Sequence, residues 1–196
     1  MNDLAIAYVT CDKYSHVWEE WYEAFKKNWD VDAPVYWCGE EKPPIDDKFK
    51  QIPHKPVDVE HWAQKLRTQI VQIPEKYIHV WMDDGIPLKN ISKEFMRVYR
   101  WLHSRDGDSM RIMYRDTVAT YQLADYLDDN LILKLTPDSH YRVSFGPVIY
   151  KKSFLLEALS EGGSPWAVEL NSHGRFTNRN IFAYHIRGWI LNKVVR

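Results

Sequence analysis

The stretch VWMDDGIP, residues 80–87, carries an apolar run directly into two adjacent carboxylates, Asp83 and Asp84, and then breaks it with Gly85 and Pro87. Neighbouring like charges repel, so the pair is either solvated in an ordinary Asp-Gly turn or offset by a cation. A divalent ion held there would bind a diphosphate in turn, because hard cations take carboxylate and phosphate oxygens alike. It would also stabilise the charge that develops on a departing nucleoside diphosphate. A second polar trio, Thr10-Cys11-Asp12, ends the apolar run LAIAYVT at residues 4–10. In open α/β sheets ligands gather beyond the carboxyl ends of strands, so both groups could face one crevice.

Glu169 is the second candidate. It lies in GGSPWAVELNSHGR, where two glycines, a proline and Trp166 leave little helical pattern. Such a setting could hold a carboxylate in a rigid, partly apolar pocket that raises its pKa toward that of a general base. The competing reading makes Trp166 a core plug and Glu169 a surface charge. The third candidate is the tail, in which Arg187, Lys193 and Arg196 could neutralise a pyrophosphate. His173 or His185 could complete a metal shell, imidazole being a frequent ligand. A solvated basic end is the alternative. His79, inside an apolar run, reads as a satisfied structural side chain, and His16, His54, His61 and His103 show no pattern.

Strands are expected at LAIAYVT, APVYWCG and KYIHVWM, the last delivering Asp83 and Asp84. Val17, Trp21, Phe25 and Trp29 recur at helical spacing, with Ser15 as a candidate N-cap. Trp62, Leu66, Ile70 and Ile73 mark another amphipathic helix, stopped before Pro74. SKEFMRVYRWLHS and SFLLEALSEGG also read as helices, the second ended by its glycines. TVATYQLADYLDDN is expected to be helical, and HYRVSFGPVIYKK to be a strand interrupted at Gly146-Pro147. The alternation of strand and helix in the first half favours an α/β layered sheet.

The chain of 196 residues suits a single domain spanning 1–196, with no linker to divide it. Lysine plus arginine (26) nearly balances aspartate plus glutamate (27), so no global charge marks a nucleic-acid or membrane partner, although a local basic groove is compatible with that balance. Nine Trp and twelve Tyr can build a core or stack on sugars and bases. Cys11 and Cys38 alone make neither a disulfide framework nor a zinc spacing. With no signal-peptide pattern and no apolar run of about 20 residues, the expectation is a cytoplasmic setting.

Taken in order, AYVTCDKY, HWAQKLRTQIVQIPEKYIHVWMDD, YRVSFGPVIYKKSFLLEAL and SPWAVE resemble the compact GT-A type glycosyltransferases of bacteria and phages, including capsular-polysaccharide transferases. The resemblance runs from about residue 4 to 175 and implies a GT-A-like (Rossmann-like) mixed open sheet flanked by helices. It implies transfer of a sugar from a nucleotide-sugar, of which a UDP-sugar is the first choice, to an acceptor hydroxyl, assisted by Mn²⁺ or Mg²⁺. By position, Asp84 matches the last carboxylate of the family's DxD metal motif, and Asp83 takes the middle place, for metal or ribose. Met82 stands where the first Asp would be, and Gly85 replaces a bulky apolar residue. Glu169 matches the base of an inverting displacement, and Thr10 and Asp12 lie where such folds contact the nucleotide. The acceptor expected is a saccharide; hydroxymethylated phage DNA is the alternative, and a non-catalytic nucleotide- or sugar-binding module is the alternative from another class.

Overall fold

The computed structural model describes residues 3–112, 119–184 and 189–191. In chain order its elements are β1 (Leu4–Val9), α1 (Trp18–Asn28), β2 (Val35–Cys38), β3 (Lys50–Gln51), α2 (Trp62–Ile70), β4 (Tyr77–Met82) and β5 (Gly85–Pro87). The second half adds α3 (Ser92–Ser104), β6 (Ser109–Arg111), β7 (Tyr121–Leu127), β8 (Asn130–Leu135), β9 (Val148–Lys151), α4 (Lys152–Ala158), α5 (Pro165–Leu170), β10 (Ile181–Ala183) and β11 (Trp189–Leu191). Nine strands form one open mixed sheet in the order β3-β2-β1-β4-β9-β6-β10-β8-β7. Helices cover both faces, so the fold is the α/β, GT-A-like sheet that the sequence leads one to expect.

All six residues of β1 are buried, which is why the strand reads as a continuous apolar run rather than an alternating one. Leu4, Ile6 and Tyr8 point into a core shared with α1 and α3, where Trp18, Trp21, Trp29, Trp37, Trp81 and Phe95 pack together. Ala5, Ala7 and Val9 point to the opposite face, against Leu66 and Ile70 of α2 and Phe154 and Leu155 of α4. Full burial of one such aromatic contributes roughly 4–6 kcal/mol of transfer free energy as an upper estimate. Much of the tryptophan content is therefore core.

The register sets up the site. Strands β2, β1 and β4 are parallel, and Val9 pairs with both Cys38 and Met82. Thr10, Gly39 and Asp83 therefore leave the sheet side by side. Strand β9 runs antiparallel to both β4 and β6, so β6 points the same way as β4, and Arg111 reaches the same edge of the sheet.

Several expectations are corrected. TVATYQLADYLDDN is not helical: residues 121–127 form β7, joined to β8 by a two-residue turn in which Asp128 takes φ 51°. Aspartate tolerates that left-handed conformation better than most residues, and such turns suit hairpins. Ser15 caps nothing; it lies within a 3-10 turn over Asp12–Val17 that precedes α1. The strand expected across HYRVSFGPVIYKK is confined to β9. The segment around Glu169 is a helix after all: Pro165 occupies the first turn of α5, and the Ser164 side chain accepts the Ala167 N–H at 3.2 Å. Among the described residues no helix is long and apolar enough to cross a membrane.

Candidate active site

The end of β4 is built around Trp81. Its indole N–H donates to the Gly85 carbonyl at 2.7 Å, and a Cβ on Gly85 would lie 3.2 Å from that nitrogen and 3.3 Å from the Met82 oxygen. A larger residue would have to displace the turn, so glycine here fits a chain that folds back tightly over tryptophan. The turn leaves Asp84 exposed and Asp83 half-buried.

Asp83 is held by a directed relay. The Trp18 indole N–H donates to Thr10 Oγ1 at 2.8 Å, and Thr10 Oγ1 donates to Asp83 Oδ2 at 2.8 Å. Because the Thr10 oxygen already accepts from the indole, its own proton is turned toward the carboxylate. Burial raises the Asp83 pKa from 3.8 to about 6; the Asp84 charge adds to the rise, while the Thr10 hydroxyl and Lys65 oppose it. Tyr8, beneath the pair, has its phenol pushed up by burial and then by Asp83 and Asp84. The edge concentrates negative charge, with Asp83 half-buried and Asp84 exposed beside it.

The neighbouring loop rests on an ion pair that the sequence did not reveal. Glu40, just past β2, accepts from Lys65 Nζ at 3.0 Å through Oε1 and from the Asp12 N–H at 3.0 Å through Oε2. The side chains are only 4% and 8% exposed, so the pair is enclosed. One turn along α2, Gln69 Nε2 donates to the carbonyls of Gly39 and Ile52 at 2.9 and 2.6 Å. Asp12 is occupied as well, both its oxygens accepting the Lys42 N–H at 3.2 Å. The structure thus gives Asp12 a part in fixing the loop beside Thr10. The signal for Lys65 and Gln69 was their place on the same helical side as Leu66 and Ile70, which polar residues normally avoid.

Opposite the Asp pair, a small cleft runs between Trp81, Met82, Asp84 and Gly85 on one wall and Phe145, Gly146 and Pro147 on the other. The second wall is held by Glu169, whose Oε1 accepts the Phe145 N–H at 2.6 Å. Trp62 of α2 packs edge-on against the Phe145 ring, centroids 4.7 Å apart. Among the described residues nothing donates to Glu169 Oε2. Trp166, three residues earlier on the short helix, is 64% exposed and is not the core plug considered from sequence. Glu169 is half-buried rather than a free surface charge.

The structure therefore brings Thr10 and Asp83 into contact and sets Asp84 across a cleft from the loop that Glu169 anchors. His79 is fully buried and kept neutral, its pKa lowered to about 3 by burial, with Nδ1 3.2 Å from the Val148 carbonyl. His173 stacks on His140, ring centroids 4.0 Å apart, both exposed. His185, Arg187 and Lys193 lie outside the described residues; β11 does run antiparallel to β5, with Leu191 opposite Gly85. No group of three or more His, Cys, Asp or Glu able to hold a metal occurs among the described residues. Two carboxylates whose mutual repulsion is only partly offset still fit a magnesium-type ion, which commonly takes one or two carboxylates and fills its shell with phosphate oxygens and water.

No family model matches the chain, and no curated protein matches it closely enough to count. Solved structures do. S. aureus TarS matches with a TM-score of 0.58 at 9% identity, over 95% of this chain and 36% of that one. TarS 1-349 in complex with UDP matches with a TM-score of 0.52 at 12% identity, over 93% of this chain and 60% of that one. CMP:2-keto-3-deoxy-manno-octonic acid synthetase complexed with CTP matches with a TM-score of 0.55 at 12% identity, over 93% and 89% of the two chains. The chain thus spans about three-fifths or less of the TarS chains but most of the synthetase. At these identities the likeness is one of fold: a GT-A-like α/β sheet shared with proteins solved holding UDP or CTP.

Proposed function

We propose that the protein is a nucleotide-sugar-dependent glycosyltransferase that takes a UDP-sugar and transfers the sugar to a saccharide hydroxyl, with inversion. The observation that carries this reading is the carboxyl-edge arrangement: Thr10 and Asp83 joined by a hydrogen bond, with Asp84 beside them, across a cleft from a loop held by Glu169. The fold's likeness to TarS solved with UDP supports the choice of nucleotide.

In this reading Asp83 and Asp84 hold Mg²⁺ or Mn²⁺, which when bound supplies positive charge to the diphosphate. Thr10, its proton committed to Asp83, keeps that carboxylate in place, and the Glu40–Lys65 pair fixes the neighbouring loop. Glu169 keeps Oε1 on the Phe145 N–H and uses Oε2 to take the acceptor hydroxyl proton as the new glycosidic bond forms. The bond from the anomeric carbon to the diphosphate breaks on the opposite side, so the configuration inverts. Arg187, Lys193 and His185 are proposed to approach the diphosphate from the tail, and Trp166 offers an exposed ring on which a sugar can stack.

The near-complete coverage of the CTP-bound synthetase favours one other reading, a nucleotidyltransferase that joins a sugar to a nucleoside triphosphate. The products separate the two. Incubation with UDP-sugars and saccharide acceptors should release UDP and yield an inverted glycoside by NMR. Release of pyrophosphate from a nucleoside triphosphate, with no UDP formed from any UDP-sugar, would replace the first reading by the second.

A further inference from the structure

Two arginines are buried close together on the Glu169 side of the sheet, and neither has an ion-pair partner among the described residues. Arg111, at the carboxyl end of β6, is 7% exposed, and its Nη2 is buried with no hydrogen-bond partner among the described residues. Arg142 is 1% exposed; it donates through Nη1 to the Thr136 carbonyl and through Nη2 to the Phe176 carbonyl at 2.9 Å, while its Nε is buried without a partner among the described residues. The two charges feel each other: burial and then Arg111 lower the Arg142 pKa, and the Asp138 charge opposes the fall without cancelling it. A buried cation normally has a counter-ion, because removing charge from water is expensive unless it is paired. Here the two cations share one region, and among the described residues the Asp138 charge offsets that of Arg142 only in part.

Two backbone positions beside Arg142 take the left-handed conformation. Tyr141, its neighbour in sequence, has φ 52°, and Phe176, whose carbonyl it grips, has φ 56°. Bulky side chains rarely adopt this left-handed conformation, which costs roughly 1–2 kcal/mol per residue. The region also adjoins the proposed base. Tyr150, whose phenol feels the Arg111 charge, donates to the Ser144 carbonyl at 2.5 Å and accepts the Ser144 N–H at 3.0 Å. Ser144 directly precedes Phe145, whose N–H is held by Glu169.

We propose that Arg111 and Arg142 form an oxyanion-binding site for a phosphate or carboxylate carried by the acceptor. The oxyanion adds counter-charge to the partial offset from Asp138, and Arg111 Nη2 and Arg142 Nε are the donors left for it. Its place, linked through Tyr150 and Ser144 to the loop that Glu169 holds, is on the acceptor's side of the cleft rather than at Asp83 and Asp84. The transferase reading enters only in naming the acceptor as the molecule that bears the anion; the site itself stands on the two arginines.

The test titrates inorganic phosphate and, separately, glucuronate into protein saturated with UDP, using calorimetry, with UDP affinity measured in the same preparations. Saturable binding of at least one anion is expected, with phosphate preference marking a phosphate-bearing acceptor and glucuronate preference a uronic one. Arg111→Gln should weaken that binding about 10-fold or more and leave UDP affinity unchanged. Arg111→Lys keeps the charge without the planar fork and should bind several-fold more weakly than wild type; it carries the test if the Gln variant loses its near-UV circular dichroism. No saturable binding of either anion, equal binding by wild type and the folded variant, or displacement of UDP by the anion would overturn the site. Anion binding without any UDP binding would remove the transferase reading and leave the oxyanion site standing.

Discussion

Asp83 stores the clearest conflict between stability and function. Its pKa in the folded protein, about 6, lies above the ordinary 3.8, so the folded state binds the proton more tightly than the unfolded chain. Stability from this group is therefore present below pH 3.8 and is lost as pH rises through about 6. The gap corresponds to about 3 kcal/mol. Asp83→Asn should raise the unfolding free energy at pH 7 by an amount approaching that figure and flatten its change between pH 4 and 6; chemical denaturation at several pH values reads both. A lower unfolding free energy at pH 7 would mean that the Thr10 hydrogen bond outweighs the burial. Glu169→Gln keeps an oxygen for the Phe145 N–H while removing the base, so turnover should fall by about 10²–10⁴-fold with donor affinity near wild type. Wild-type turnover, or a product that keeps the donor's configuration, would leave Glu169 only its part in holding the loop. Asp83 and Asp84 stood out in the sequence because an apolar run led straight into them. Glu40 did not, because it looks like a surface charge until the fold joins it to Lys65, whose place on the apolar side of α2 was the only local hint.

At the scale of elements, α2 does more than cover the sheet. Through Lys65 and Gln69 it holds the loops after β1 and β2. Lys65→Met should leave Glu40 buried without its cation and destabilise the fold by about 3–5 kcal/mol. The double variant with Glu40→Gln should recover much of that loss, and a thermal denaturation series would show it. If the single variant loses under 1 kcal/mol by this measure, the loop does not depend on the pair. Strand β1 was legible because both its faces are buried, whereas β7 was not. It lies at the sheet's edge, is largely exposed, and shifts register between Leu123 and Asp125, which breaks the two-residue alternation. The hairpin survives through its pairing with β8, a tertiary fact that no local window contains. The helix bearing Glu169 was missed because its six residues are too few to show a period; its Ser-Pro cap was the available signal.

Across the whole molecule, the parallel strands β2, β1 and β4 end in register, and that alignment gathers the polar residues at one edge. The alternating first half made this sheet readable from sequence, while the mixed second half, with β9 and β8 reversed, required the fold itself. In the proposed function this edge binds a uridine diphosphate through Asp83, Asp84 and a divalent ion. That binding is tested most directly by calorimetric titration of UDP into wild type and Asp84→Asn, each with Mn²⁺ and again with EDTA. Saturable binding should occur for wild type with Mn²⁺ and fall by at least about 10-fold with EDTA or in the folded variant. No UDP binding, or binding that neither EDTA nor Asp84→Asn diminishes, would contradict it.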